Sequence, residues 1–123
     1  MREQVHITQL VPYCVTRARG EEAAKRLRRH HGTKPIEVDL SGVEMVSLSF
    51  LDGFLSYFRH LGKERNIVFN IDSPDVEEKL ARIAGIRCSA IYCHFVNQKV
   101  QRVEPRLVNL PKAILIPAET YKP

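Results

Sequence analysis

The sequence predicts an α/β fold in which helices pack against a mixed sheet of about four to six strands. Segments whose apolar residues recur at every second position alternate along the chain with segments in which they recur at every third or fourth position. These are the periods of strands and of helices. The run NIVFNI at 66–71 is apolar on both faces, as a central strand covered by helices should be. A chain of 123 residues can bury about two-thirds of its unfolded surface, so one core is expected.

Three strands are predicted before residue 41. The alternation of Val5, Ile7 and Leu10 with polar residues indicates the first strand. A second is expected over 13–16. The third covers 36–40, where isoleucine, valine and leucine alternate with acidic residues and a Ser-Gly pair follows.

A basic helix is expected over 21–31. Its core-facing stripe is Ala23, Ala24, Leu27 and His31. Its outward basic residues are Lys25, Arg26, Arg28 and Arg29. Glu21 and Glu22 are placed in the first turn and the basic residues in the last, as the helix dipole favours. Gly32 follows at the position where a helix commonly ends.

The most apolar helix is predicted over 50–61. Its stripe is Leu51, Phe54, Leu55, Phe58 and Leu61, which is wide enough to imply burial against a sheet. Ser49 precedes this helix and Asp52 lies three residues further on, a spacing similar to a capping box. Ser49 is therefore expected to cap the helix.

A third helix and a further strand follow the central strand. Ser73, Pro74 and Asp75 predict the helix start, because they supply a capping hydroxyl, a fixed first residue and an acidic first turn. The core-facing stripe is Val76, Leu80, Ile83 and Ala84, and Gly85 is expected to end the helix. The run IYCHFV at 91–96 then predicts a strand.

The chain changes character after residue 96. Four prolines interrupt the apolar runs, at Pro105, Pro111, Pro117 and Pro123. We expect one domain over 1–96 and a C-terminal extension over 97–123 that packs on or pairs with it through one or two short extended pieces.

Composition limits the classes of function. An apolar fraction of 44% and a charged fraction of 27% are ordinary for a soluble domain. No uncharged span of 18 residues and no signal-peptide pattern at the start are found, which favours a cytoplasmic protein with no membrane partner. Three cysteines cannot all pair within one chain, which fits a reducing compartment.

Neither a metal site nor a catalytic set is expected. Cys88, Cys93 and His94 are ligand types for zinc, but no second ligand pair accompanies them. The available carboxylates (Asp39, Glu44, Asp52) and imidazoles (His6, His60, His94) have no spacing that defines a nucleophile, a base and an orienting group. No glycine-rich phosphate loop is present, so the chain is not expected to bind ATP itself. The expectation is a protein that is not an enzyme and carries no cofactor.

The net charge of +5 leaves two interpretations of the basic helix. Lys25, Arg26, Arg28 and Arg29 form either a solvated helix face or a face that contacts phosphates of a nucleic acid. No helix-turn-helix pattern or aromatic-rich strand signature accompanies these residues, so nucleic-acid binding is the alternative rather than the leading hypothesis.

Two stretches resemble the STAS domain, the fold of bacterial anti-sigma-factor antagonists. They are VDLSGVEMVSLSFLDGFLSYF and NIVFNIDSPDVEEKLARIAGI, and the likeness covers about residues 5–96. TRARGEEAAKRL and SFLDGFL look closer still to a bacterial STAS-like domain of unknown function. The resemblance implies a regulatory, protein-binding module.

In the antagonists a serine at the start of the corresponding helix is phosphorylated by a kinase-type ATPase that is also the binding partner. The antagonist pattern D-S-S/T-G-L aligns with SLSFL, so Leu48 takes the place of the usual phosphoacceptor. A switch in this chain would then use Ser49 or Ser47. The resemblance thus implies a partner-binding or phosphorylation site at Ser47, Ser49, Phe50 and Asp52.

Overall fold

The structure is a computed structural model that describes residues 3–88, 90–96, 100–102, 107–108 and 113–117, with side chains over 3–88 and 90–95. The helices are α1 (Arg17–His31), α2 (Leu48–His60) and α3 (Pro74–Arg87). The strands are β1 (Glu3–His6), β2 (Ile36–Asp39), β3 (Ile67–Ile71), β4 (Ile91–Val96), β5 (Val100–Arg102), β6 (Leu107–Val108) and β7 (Ala113–Pro117). The predicted α/β class is confirmed.

The sheet is mixed and mainly parallel. Its strand order is β1-β2-β3-β4-β7-β6, and β5 also pairs with β4. Strands β1 to β4 and β7 run parallel, whereas β5 and β6 are antiparallel to β4 and β7. Because the first four strands lie side by side in chain order, right-handed crossovers place α1, α2 and α3 on one face of the sheet.

The core lies between that face and the helices. Val5, Val38, Phe69 and Cys93 form one row across β1 to β4, since each is the register partner of the next, and all four are buried. Phe54 of α2 packs on Phe69, with ring centroids 5.9 Å apart. All five residues of β3 are buried, which confirms the predicted burial of both faces of this strand, although α1, α2 and α3 all lie on the same face.

Helices α1 and α2 cross at a pair of glycines. A Cβ on Gly20 would collide with the carbonyl oxygen of Phe50, and a Cβ on Gly53 would lie 2.6 Å from the carbonyl oxygen of Arg17. Only a residue without a side chain allows the two backbones to approach this closely. The crossing fixes the first turn of α1 beside the first turn of α2.

Two of the N-terminal predictions are wrong. The segment 13–16 is not a strand; its pairing is an isolated bridge between Cys14 and Val46. The first strand stops at His6, where a short 3-10 helix, Ile7–Gln9, begins. His6 caps it, because its side chain accepts a hydrogen bond from the Thr8 amide.

The helix limits also differ from the predictions. Helix α1 begins four residues early, capped by Thr16, so Glu21 and Glu22 do not lie in its first turn. Helix α3 starts after Ser73 as predicted but continues through Gly85 to Arg87, and Cys88, whose φ is 52°, is its C-cap. Gly32 closes α1, which confirms that prediction.

Candidate functional site

The N-terminus of α2 is capped by Ser47 and not by Ser49. The Ser47 hydroxyl accepts a hydrogen bond from the Phe50 amide, at 3.0 Å, and donates one to the carbonyl oxygen of Val15. The predicted capping box of Ser49 and Asp52 is therefore wrong. The hydroxyl of Ser47 is committed to holding the helix start against the segment that precedes α1.

Ser49 and Phe50 are neighbours in the first turn of α2 but differ in burial. Ser49 is exposed, whereas Phe50 is 1% exposed and belongs to the core. Of the four residues proposed for this site, Phe50 is out of reach of a partner. Ser49 presents the accessible hydroxyl.

Asp52 joins all three helices through two arginines. It is 8% exposed, and its carboxylate accepts hydrogen bonds from Nε and Nη2 of Arg87 at 3.1 and 2.7 Å. Arg17, in the first turn of α1, donates to the same carboxylate. The hydrogen bonds from Arg87 in the first place, and the nearby charges of both arginines, hold the pKa of Asp52 below its ordinary value of 3.8, although burial opposes this.

A cleft of about 110 Å³ opens beside this carboxylate. Its charged residues are Arg17, Asp52 and Arg87. Leu48, Ile83 and Ile86 form its apolar wall and Ser49 lies at its edge. We call this site the arginine cleft. The two arginine side chains are 46% and 42% exposed, so each guanidinium reaches both Asp52 and solvent.

Exposed apolar side chains surround the start of α2. Because Cys14 and Val46 are paired and buried, the residues that flank them, Tyr13, Val15 and Met45, point outward. These three are 68%, 43% and 62% exposed. Ile86 is 64% exposed on the far side of the arginine cleft. We call Tyr13, Val15, Met45, Ser49 and Ile86 the apical face.

Helix α3 is tied to this face as well. Lys79 Nζ donates to the carbonyl oxygen of Val46 at 2.8 Å and also pairs with Asp75. The segment before α2 is thus held by α3 on one side and by residues 14 and 15 on the other. A partner that docks on the apical face meets a surface that is already ordered, which lowers the entropic cost of binding.

The basic face of α1 is partly used within the fold. Arg26 pairs with Glu22 and donates to the carbonyl oxygen of Leu10, at 2.8 Å. Arg28 donates to the Tyr57 hydroxyl at 3.1 Å. Lys25 and Arg29 are exposed, and no ion pair is found for them in the described part of the chain.

The three cysteines lie apart. Cys88 is exposed at the end of α3, whereas Cys14 and Cys93 are buried. Burial raises the pKa of Cys14 to about 11, so its thiol stays protonated at neutral pH. Cys93 belongs to the core face of β4, so its neighbour His94 points to the opposite face. Among the described residues no group of three metal-ligand side chains forms.

The face of the sheet opposite the helices carries a row of polar residues that no local sequence pattern indicates. His6, Asp39, Asn70 and His94 are successive register partners across β1 to β4. The ring of His6 contacts the carbonyl oxygen of Ser41 at 2.8 Å, and Asp39 accepts two hydrogen bonds from Ser41. These contacts fix the turn that follows β2.

Comparisons with known proteins add no family. Neither a protein-family model, nor a curated protein, nor a solved structure matches the chain. None of the helices in the described ranges has the length and apolar character needed to cross a membrane.

Proposed function

We propose that this chain is a non-enzymatic regulatory module of the STAS-like type that acts in the cytoplasm by binding a protein partner through the apical face. The observation that carries the proposal is the coincidence of exposed apolar side chains with an accessible serine at one helix start. Tyr13, Met45 and Ile86 expose apolar surface around Ser49. Contiguous patches of exposed apolar side chains on a protein surface mark interaction sites.

Ser49 is the residue at which this module would be switched. A partner of the kinase type would transfer the γ-phosphoryl group of ATP to the Ser49 hydroxyl and release ADP. The phosphate would stand near the first amides of α2 and the positive end of the helix dipole, which tolerate it in the folded domain. It would also place a charge of about −1.5 to −2 among the exposed apolar side chains of the apical face, and a docking partner would have to desolvate that charge, which opposes binding.

The alternative partner is a nucleic acid on the basic face of α1. Lys25 and Arg29 are exposed and support this alternative, but Arg26 and Arg28 already contact groups of the protein itself. Two exposed cations attract the phosphate backbone of a nucleic acid only weakly. The apical face therefore remains the better candidate surface.

Site-specific photo-crosslinking distinguishes the two surfaces. A photoreactive amino acid is placed at Met45 or Ile86 on the apical face, and at Lys25 or Arg29 on α1 in matched variants. All four side chains are exposed, so the replacements leave the core intact. In cells that express the chain, we expect a discrete protein adduct from positions 45 and 86 and none from positions 25 and 29. Adducts from 25 and 29 that nuclease removes would instead establish the nucleic-acid alternative.

A further inference from the structure

The arginine cleft carries two cations and one anion. Arg17 and Arg87 share the carboxylate of Asp52, so the three groups together carry a net charge of +1. The bonds to Asp52 use Nη2 of Arg17 and Nε and Nη2 of Arg87. A guanidinium has five N–H donors, so donors remain on both side chains. Both side chains line the cleft and are close to half exposed, so the remaining donors have access to solvent.

The cleft has the dimensions of a side chain. Its volume of about 110 Å³ is well below the roughly 300 Å³ or more of a cavity that encloses a drug-sized ligand. One wall is aliphatic, formed by Leu48, Ile83 and Ile86. An occupant must therefore combine a small anionic group with a small apolar group.

We infer that the arginine cleft recognises a carboxylate carried beside a branched aliphatic side chain on an acidic segment of the protein partner. The carboxylate would bind the outward donors of Arg17 and Arg87, whose planar forks match its geometry. The aliphatic group would pack on Ile83 and Ile86. This inference rests on the proposed function, because it names the chemistry of the partner at the same face.

The charge balance favours a carboxylate over a phosphate. One carboxylate cancels the net +1 of Arg17, Asp52 and Arg87. A phosphate dianion would leave an excess negative charge next to the nearly buried Asp52, and an uncompensated charge in a poorly solvated site is costly. A neutral amide lacks the charge-assisted hydrogen bonds.

The test uses two fragments of equal shape. The full chain is titrated with 3-methylbutanoate and with 3-methylbutanamide, and binding is followed by NMR at the backbone amides of Ser49, Asp52 and Arg87. We expect the carboxylate to saturate with a dissociation constant on the order of millimolar and the amide to bind about tenfold more weakly or not at all. Inorganic phosphate serves as the third probe.

Three variants locate the site. Arg87→Gln removes one cation of the cleft, and Ile86→Ser removes part of its exposed apolar wall. Arg82→Gln is the matched control, since it removes a cation from the same helix outside the cleft, where Arg82 pairs with Glu78 at the surface. We expect the first two variants to weaken the binding of 3-methylbutanoate about tenfold, and the control to leave its dissociation constant unchanged. If Arg87→Gln fails to fold, the variant at the exposed Ile86, Ile86→Ser, decides whether the carboxylate binds in the arginine cleft.

Several results would overturn the inference. They are equal binding of the amide and the carboxylate, phosphate binding as tight as that of the carboxylate at the same amides, shifts confined to α1, or no saturation. The titration contains no partner, so its failure leaves the crosslinking test of the proposed function untouched. Conversely, the titration can show the carboxylate bound in the cleft while positions 45 and 86 form no crosslink. That pair of results would support the carboxylate site and contradict the proposed protein-binding function.

Discussion

Replacing Gly20 by alanine should destabilise the protein by about 3 kcal/mol, although the same change in a helix interior ordinarily stabilises by about 1 kcal/mol. The added Cβ would collide with the carbonyl oxygen of Phe50 and lie 2.9 Å from the Phe54 amide nitrogen. Both atoms belong to the backbone of α2, so no side chain can move aside. Helices α1 and α2 must separate instead. The expected change in the free energy of unfolding is thus opposite in sign to the ordinary effect of replacing glycine by alanine, so the measurement separates the two cases.

Urea unfolding of wild type and Gly20→Ala measures this effect. Ala18→Ser is the control, because it also adds one heavy atom near the start of α1 but at an exposed position. We expect the control to change the free energy of unfolding by no more than about 0.5 kcal/mol. A Gly20→Ala protein as stable as wild type would show that the helices do not cross as closely as described.

Removing both arginines of the cleft should destabilise the fold through Asp52. In the double variant Arg17→Gln, Arg87→Gln a carboxylate that is 8% exposed loses both cationic partners. We expect a loss of about 2 kcal/mol, less than for a fully buried ion pair because both arginines reach solvent. Adding Asp52→Asn to the double variant should restore most of the loss, because it removes the unpaired charge. A triple variant no more stable than the double would contradict this account of the cleft.

The pH dependence of the free energy of unfolding is an independent test of the direction in which the pKa of Asp52 is shifted. The folded pKa of Asp52 is lowered, so the ionised carboxylate contributes stability above its ordinary value of 3.8 and loses that contribution as the pH falls through the lower, folded pKa. Wild type should therefore lose more stability than Asp52→Asn on acidification below pH 3.8. In the double arginine variant burial alone acts on Asp52, so its pKa rises, and acidification should cost this variant less stability than it costs Asp52→Asn. Parallel profiles for all three proteins would contradict the pKa direction.

Periodicity predicted the architecture because the core is built from local patterns. The alternation over 36–40 and the apolar run over 66–71 correspond to β2 and β3. The stripe that begins at Leu51 belongs to α2. The pairing of β7 with β4 could not be predicted, because strand order depends on contacts between distant residues and not on the pattern of either strand.

The errors at helix ends have tertiary causes. Arg17 to Gly20 show no apolar stripe, yet they are helical because Gly20 is held against α2. Ser49 with Asp52 matched a capping pattern, but Asp52 is held by arginines 35 residues away on either side in the sequence. No local signal connects Arg17 or Arg87 with Asp52, and so the sequence pattern indicates the serines of the site but not its cations.

The affinity of the partner for wild type, Ser49→Glu and Ser49→Gln tests the central claim most directly. Glutamate and glutamine have the same size, so their difference isolates charge at the edge of the arginine cleft. Ser47 caps α2, so both variants should fold normally. With the crosslinked partner purified and titrated by calorimetry, we expect Ser49→Glu to bind at least tenfold more weakly than Ser49→Gln, about 1.4 kcal/mol. Equal dissociation constants for the two variants would contradict a charge-controlled switch at Ser49.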